Sequence, residues 1–291
     1  MLIKRTTAVL AALLSAAACE NPNESEREVP LSERVIAFSF DGDIWRMNGD
    51  GTGVVRLTSS PAPEDNPAWS PDGKWIYFHV VLGGVPYLNR MNADGSNIVQ
   101  LTSGPTAAAT PAPAPDGQRL AFVTTGQDLN LAVRAADASI WPLTALSGHE
   151  TSPAWSPVGG RIAFARSGTE RGVYTIRSDG TDVVRLTTWE SDWPSWSPDG
   201  TRMVVLGGPV PGARLWVLRA DGSGSEPLTP PTYFTGAADW SSDGQWIVFS
   251  AAQPAPAGFW IIRPDGSDLQ RLSYTGIGQF PRWQPLPQPF D

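Results

Sequence analysis

The chain has 291 residues, 41% hydrophobic and 17% charged, a length that suits one large domain. Gly 29 and Pro 28 argue against long helices, and 13 Trp argue against a disordered chain. Lys+Arg 21 against Asp+Glu 29 gives a net charge of −8 with no basic run, which disfavours a nucleic-acid partner; one Cys and two His disfavour a disulfide scaffold and a Cys/His metal cluster.

Lys4 and Arg5 form a short positive segment, followed by an uncharged apolar stretch over residues 6–18. That stretch is too short to span a bilayer, which takes about 20 residues. It ends in Ser15-Ala16-Ala17-Ala18-Cys19, and small residues before a Cys resemble a bacterial lipoprotein signal. The resemblance implies that residues 1–19 carry the signal, with Cys19 as the lipidated residue. Ala16 stands where that pattern prefers Leu. An ordinary secretory signal is the alternative, but the single Cys falls where lipidation requires it. Glu20 rather than Asp follows, which in that family implies an outer-membrane protein facing the periplasm. Residues 20–33 are polar and acidic and contain Pro, and are expected to form a flexible tether.

The remainder is one motif repeated. Pro67-Ala-Trp69-Ser-Pro-Asp72-Gly73 recurs at Trp155, Trp196 and Trp240, in a degraded form at Pro113, and in a truncated form at Trp283. The spacings between these anchors are 44, 42, 41, 44 and 43 residues, the period of a four-stranded propeller blade. Each anchor is followed by an apolar run such as Trp75-Ile-Tyr-Phe78 or Ile162-Ala-Phe164. A second run follows, such as Val173-Tyr-Thr-Ile176, and ends in a turn. Asp-Gly supplies that turn at Asp50, Asp94, Asp179, Asp221 and Asp265, whereas Asp137 is followed by Ala138. Asp-Gly between apolar runs predicts a tight hairpin, because Gly tolerates positive φ. A short strand ending in Leu-Thr or Leu-Ser closes each unit, from Leu57-Thr58 to Leu272-Ser273.

These runs predict an all-β chain: a six-bladed β-propeller over residues 34–291 with four-stranded blades and the Pro-x-Trp strand innermost. The chain enters at Val35-Ile-Ala-Phe38 without a preceding Pro-x-Trp strand and leaves with Pro281-Arg-Trp283 and no strand after it. The C-terminal strand is therefore expected to complete the first blade, which protects the sheet edges. The Ser-Pro-Asp-Gly and Asp-Gly turns should fall on one face, and the longer loops on the other.

This pattern resembles the propeller of the TolB family, built from WD40-like Pro-x-Trp-Ser-Pro-Asp-Gly repeats. The resemblance covers residues 34–291 and implies the fold more than any one function. TolB itself carries an α/β domain before its propeller and is soluble in the periplasm. Here about fourteen residues separate Cys19 from the first predicted strand, and a lipid anchor is expected. The resemblance is to the propeller and not to TolB as a whole.

Candidate chemistry is sparse. The repeated Trp are expected to pack between blades. The turn aspartates lack the alternating ladder of a calcium loop, so turn chemistry explains them. No Gly-x-Ser-x-Gly elbow is present. Of the two His, His79 falls in a predicted strand and His149 in a loop. No catalytic residue, metal site or cofactor is therefore expected. Propellers bind at the channel mouth, in loops entering the inner strands. Those loops carry the acids Glu64, Asp65, Glu150, Glu190 and Asp192, together with His149. They also carry the aromatics Trp189, Trp193, Tyr233, Phe234 and Tyr274, and neighbouring loops add Arg166, Glu170 and Arg171. Acids beside aromatics suit a peptide or a sugar better than a phosphate. The leading expectation is a lipid-anchored, monomeric, non-catalytic propeller that binds an envelope protein or peptide and meets the membrane through its anchor only. A carbohydrate-binding or carbohydrate-processing propeller is the alternative.

Overall fold

A computed structural model describes residues 28–126, 128–145, 148–208, 214–231, 234–253 and 256–287; for Phe234 it describes the backbone alone. Cys19, the first part of the predicted tether and Tyr233 lie outside these residues. The compact unit begins at Leu31. Leu31–Glu33 form a 3-10 turn, and Leu31 packs on the cluster holding Trp246 and Trp283, which draws the end of the predicted tether into the fold.

The described residues form six four-stranded antiparallel sheets. In the first blade, β1 (Val35–Phe40), β2 (Asp43–Asn48) and β3 (Val55–Arg56) follow in order. The second blade holds β4 (Glu64–Trp69), β5 (Trp75–Leu82), β6 (Val85–Asn92) and β7 (Val99–Gln100). In the third are β8 (Ala108–Pro113), β9 (Arg119–Thr124), β10 (Asn130–Ala135) and β11 (Ile140–Pro142). The fourth has β12 (Glu150–Trp155), β13 (Arg161–Arg166), β14 (Gly172–Arg177) and β15 (Val184–Arg185). Next come β16 (Ser191–Trp196), β17 (Arg202–Gly207), β18 (Arg214–Arg219) and β19 (Ser225–Pro227). The sixth blade holds β20 (Phe234–Trp240), β21 (Ile247–Gln253), β22 (Gly258–Ile262) and β23 (Gln270–Arg271). Finally β24 (Gln279–Trp283) returns to pair with β1, with Trp283 opposite Ile36 and Arg282 opposite Ala37. The closure expected from the sequence is thus the one observed.

The motifs have local causes. In the Leu-Thr pairs the Thr hydroxyl accepts an N–H from the blade's third strand: that of Ile44 at Thr58, Leu88 at Thr102, Leu131 at Thr144, Val173 at Thr187 and Leu215 at Thr229, at 2.8–3.0 Å. These donors are buried, and leaving one unpaired costs about 1–3 kcal/mol. In the Asp-Gly turns the Asp carboxylate accepts the N–H two residues on, as from Asp94 to Ser96 and Asp179 to Thr181, both at 2.9 Å. The Ser139 and Ser223 N–H groups bind Asp137 and Asp221 in the same way. Hydrogen bonds from the Ser or Thr hydroxyl two residues on, and then from that residue's N–H, hold Asp94, Asp137, Asp179, Asp221 and Asp265 below the usual carboxylate range. Where Gly is missing, Ala138 itself takes a φ of +69°.

The repeated Trp do wedge between blades. Trp69 joins Ala37 and Ile44 of the preceding blade, Trp196 joins Ala163 and Val173, and Trp283 joins Trp246 and Val248. The Phe of each Ile-x-Phe or Leu-x-Phe run (Phe38, Phe78, Phe122, Phe164 and Phe249) is fully buried at 0% exposure. Burying one such ring gains about 1.5–3 kcal/mol.

Candidate functional site

Every inner strand carries a register shift just before its Pro-x-Trp segment, or the equivalent Ala238-Asp-Trp240. In five of them the residue before the Pro has positive φ: Asn66, Thr110, Ser152, Trp193 and Phe280, at 48–55°. Proline bars its predecessor from the right-handed helical region, and the bulge takes the left-handed one. Inner strands touch their neighbours in ring order, so β16 and β24 are separated by β20. Yet Trp193 on β16 and Phe280 on β24 meet with ring centroids 4.5 Å apart. The two bulges aim their aromatic rings toward each other across the central channel.

On the loop face, a groove of about 650 Å³ opens between the fourth and fifth blades. It unites Arg166, Arg171, Glu190, Asp192 and Trp193 with Gly207 and Gly208. The glycines are required. A Cβ on Gly207 would overlap the Glu190 carbonyl at 2.1 Å, and one on Gly208 would meet the Trp216 indole at 2.7 Å. Asp192 accepts the Ser152 hydroxyl and the Trp193 N–H, both at 2.7 Å. Burial nevertheless raises its carboxyl above the ordinary range. Arg166 pairs with Glu170 at 2.9 Å and with Glu150 at 3.8 Å.

Other predicted site residues are used by the fold. Glu64 and Glu150, read as loop acids, begin inner strands and are 3% and 0% exposed. Burial raises both carboxyls, opposed by hydrogen bonds from Thr58 and Thr144. Asp65 is half-buried and accepts the Asn66 N–H at 2.8 Å. His149 is exposed, and its Nδ1 accepts the Leu129 N–H at 3.2 Å. His79 is buried opposite Asp65 in the β4–β5 pair, and burial lowers its pKa. Trp189, one of the loop aromatics, is half-buried and packs on Trp216 at 5.6 Å. Tyr274 packs against Phe38 at 5.2 Å. The Phe234 backbone starts β20. Among the described residues no three His, Cys, Asp or Glu gather as a metal site.

The opposite mouth has its own cavity of about 640 Å³, which the sequence reading missed. Pro71, Pro115, Pro157, Pro198 and Pro285 ring it, and the Trp edges form its walls. The signal was present in the Pro two residues after the anchor, which five of the six motifs carry. Ser242 replaces Pro in the sixth blade, and its hydroxyl accepts the Leu286 N–H at 2.9 Å. Deeper in, Asp239 accepts Ser195 Oγ at 2.9 Å and the Trp283 N–H at 2.8 Å, with Arg282 at 3.7 Å.

The fold and both mouths define a closed six-bladed propeller with an aromatic constriction in its channel. Residues 32–193 match the family model of the TolB beta propeller domain, and the chain belongs to that family. Among solved structures it is similar to TolB from Acinetobacter baumannii, with 20% identity, a TM-score of 0.78, and coverage of 88% of this chain and 68% of that one. A candidate TolB from Agrobacterium tumefaciens gives 19% identity and a TM-score of 0.67 over 87% of this chain and 98% of that one. An oligogalacturonate lyase in complex with manganese is more distant, at 13% identity and a TM-score of 0.59, covering 81% of this chain and 72% of that one.

Proposed function

We propose that this chain is a non-catalytic binding module of the cell envelope that docks a protein or peptide segment on its loop face. The observation carrying this reading is the groove between the fourth and fifth blades, where acids, arginines and a tryptophan converge beside a constricted channel. A ligand would lie on the face rather than thread the axis. Membership of the TolB propeller family agrees with such a role. A sugar site would need aromatics stacked near carboxylates across several blades, and Trp189 and Tyr274 are engaged in packing instead. Hydrolysis would need an activated nucleophile or metal-bound water. His149 already accepts a backbone N–H, and His79 is buried.

The test is photocrosslinking in envelopes from a benzoylphenylalanine placed at Glu190, compared with one placed at Asp221 on the turn face. Reproducible protein adducts from Glu190 alone are expected; equal labelling from both positions, or none, overturns the reading. Lipidation at Cys19 belongs to the same proposal. Cys19→Ser should move the protein from the membrane pellet to the soluble fraction, because acylation is its only predicted anchor. Turnover of a glycoside or ester substrate by the wild type that Glu150→Gln abolishes would overturn the non-catalytic reading.

A further inference from the structure

The loop-face groove contains an electrostatic imbalance. Among the described residues neither Asp192 nor Glu190 forms an ion pair, although Asp192 lines the groove half-buried. Its partners are neutral: the Ser152 hydroxyl and the Trp193 N–H. Arg166, which lines the same groove, is 10% exposed and is turned to Glu150 and Glu170. Arg171 lies exposed at the rim. Trp193 contributes an aromatic ring beside both acids, fixed by its bulge and by Phe280. A carboxylate drawn out of water without a counter-charge is costly, and a cation brought to it recovers that cost. An aromatic face at the same point adds cation–π attraction.

We propose that this groove takes a cationic side chain, Lys or Arg, from an extended segment of the partner, with Asp192 and Glu190 accepting its N–H donors and Trp193 covering its stem. This rests on the loop-face docking reading and adds the chemistry of the recognised residue. Gly207 and Gly208 line the groove as bare backbone open to an extended segment, and the close Glu190 carbonyl and Trp216 indole leave no room for a Cβ at either position. Arg171 at the rim opposes a second cation, which limits the site to one basic residue flanked by neutral or acidic neighbours.

The probe is the blocked peptide acetyl-Gly-Ala-Lys-Ala-Gly-amide, with norleucine and glutamate counterparts, titrated into protein carrying nitrogen-15 tryptophan. The indole N–H resonances report occupancy. The Lys peptide should bind on the order of tenfold tighter than the norleucine peptide at low salt, the size of one charge-assisted hydrogen bond, and the Glu peptide more weakly still. Asp192→Asn preserves the acceptor for Ser152 and should erase most of that preference. Glu190→Gln, on an exposed side chain, should reduce it without affecting the melt, and Arg171→Gln should strengthen Lys binding. Equal binding of Lys and norleucine peptides, a preference unchanged in Asp192→Asn, or no binding of any peptide overturns the proposal. The crosslink from Glu190 is scored separately. If it persists while the Lys preference is absent, loop-face docking stands and the cation site falls.

Discussion

Arg34 is clamped by both carboxylate oxygens of Asp243, at 3.0 and 2.6 Å, although 209 residues separate them. Arg34 immediately precedes β1, and Asp243 lies in the Ser-Ser-Asp-Gly turn of the sixth blade. The pair fastens the chain's entry to the blade before the closure. Arg34 is 2% exposed and Asp243 25%, so Arg34→Met removes the cation from a part-buried pair. The expected loss is about 1.5–3 kcal/mol, the range for a hydrogen bond to a charged group, read as a fall in denaturation midpoint.

The same pair sets a pH dependence. Burial alone would raise the Asp243 carboxyl, but hydrogen bonds from Arg34, Ser241 and the Gln245 N–H outweigh it and hold it below the usual range. Its contribution is therefore full above the ordinary Asp value of about 3.9 and is lost as pH falls through the lower folded value. Thermal melts of wild type and Asp243→Asn should differ at neutral pH and converge on strong acidification. A constant difference down to the acid limit would contradict the pairing.

Glu64 should behave in the opposite sense. Burial raises its carboxyl, with hydrogen bonding from Thr58 only partly offsetting it. A raised folded value means stability that is full below the ordinary Glu value of about 4.3 and lost as pH rises through the folded one. Glu64→Gln should thus melt higher than wild type at neutral pH and lose that advantage near pH 4. A melt that is lower at neutral pH would show that the ionised carboxylate is satisfied.

Closure can be tested by truncation. Deleting residues 279–291 removes β24, exposes the inner edge of β1 and empties the Trp283 site, which is 5% exposed. Loss of a buried Trp alone costs about 3–5 kcal/mol. The truncated protein should unfold well below the full chain or aggregate through the freed edge. A midpoint within a degree or two of wild type would refute the closure as a source of stability.

How much of this was legible follows from which forces are periodic. The anchor spacing, the Leu-Thr strands and the Asp-Gly turns repeat because each blade solves the same local problem, so blade number, strand order and the closure by Trp283 could be read directly. Burial of Glu64 and Glu150 could not. An acid just before Pro-x-Trp looks like loop surface, and only the inner strand's extra length draws it inside. Trp189 misled for the same reason: its ring folds back onto Trp216, a contact set by three-dimensional packing and not by spacing. The bulge had a sequence mark, the residue before Pro, but no pattern announced that Trp193 and Phe280 would meet.

Thr110 gives a test of the bulge. It is β-branched, holds a φ of +48°, and its hydroxyl is buried without a hydrogen-bond partner. The left-handed region costs an ordinary residue about 1–2 kcal/mol, and Asn tolerates it better. Thr110→Asn, which copies Asn66 of the preceding blade, should raise the midpoint by about 2–4 °C. An unchanged or lower midpoint would mean that the Thr methyl packs well enough to offset the strain.

Of the described strands, the one that finishes the first blade is the last to be made. Throughout synthesis and any passage across a membrane, β1 has its outer partner β2 but not its inner partner β24. Five blades can form in turn as they emerge, while the first keeps an open edge of main-chain donors and acceptors. Completion of the ring is thus a late, long-range event that depends on sequence distance and not on local hairpin speed. During that interval, shielding the β1 edge falls to whatever accompanies the emerging chain.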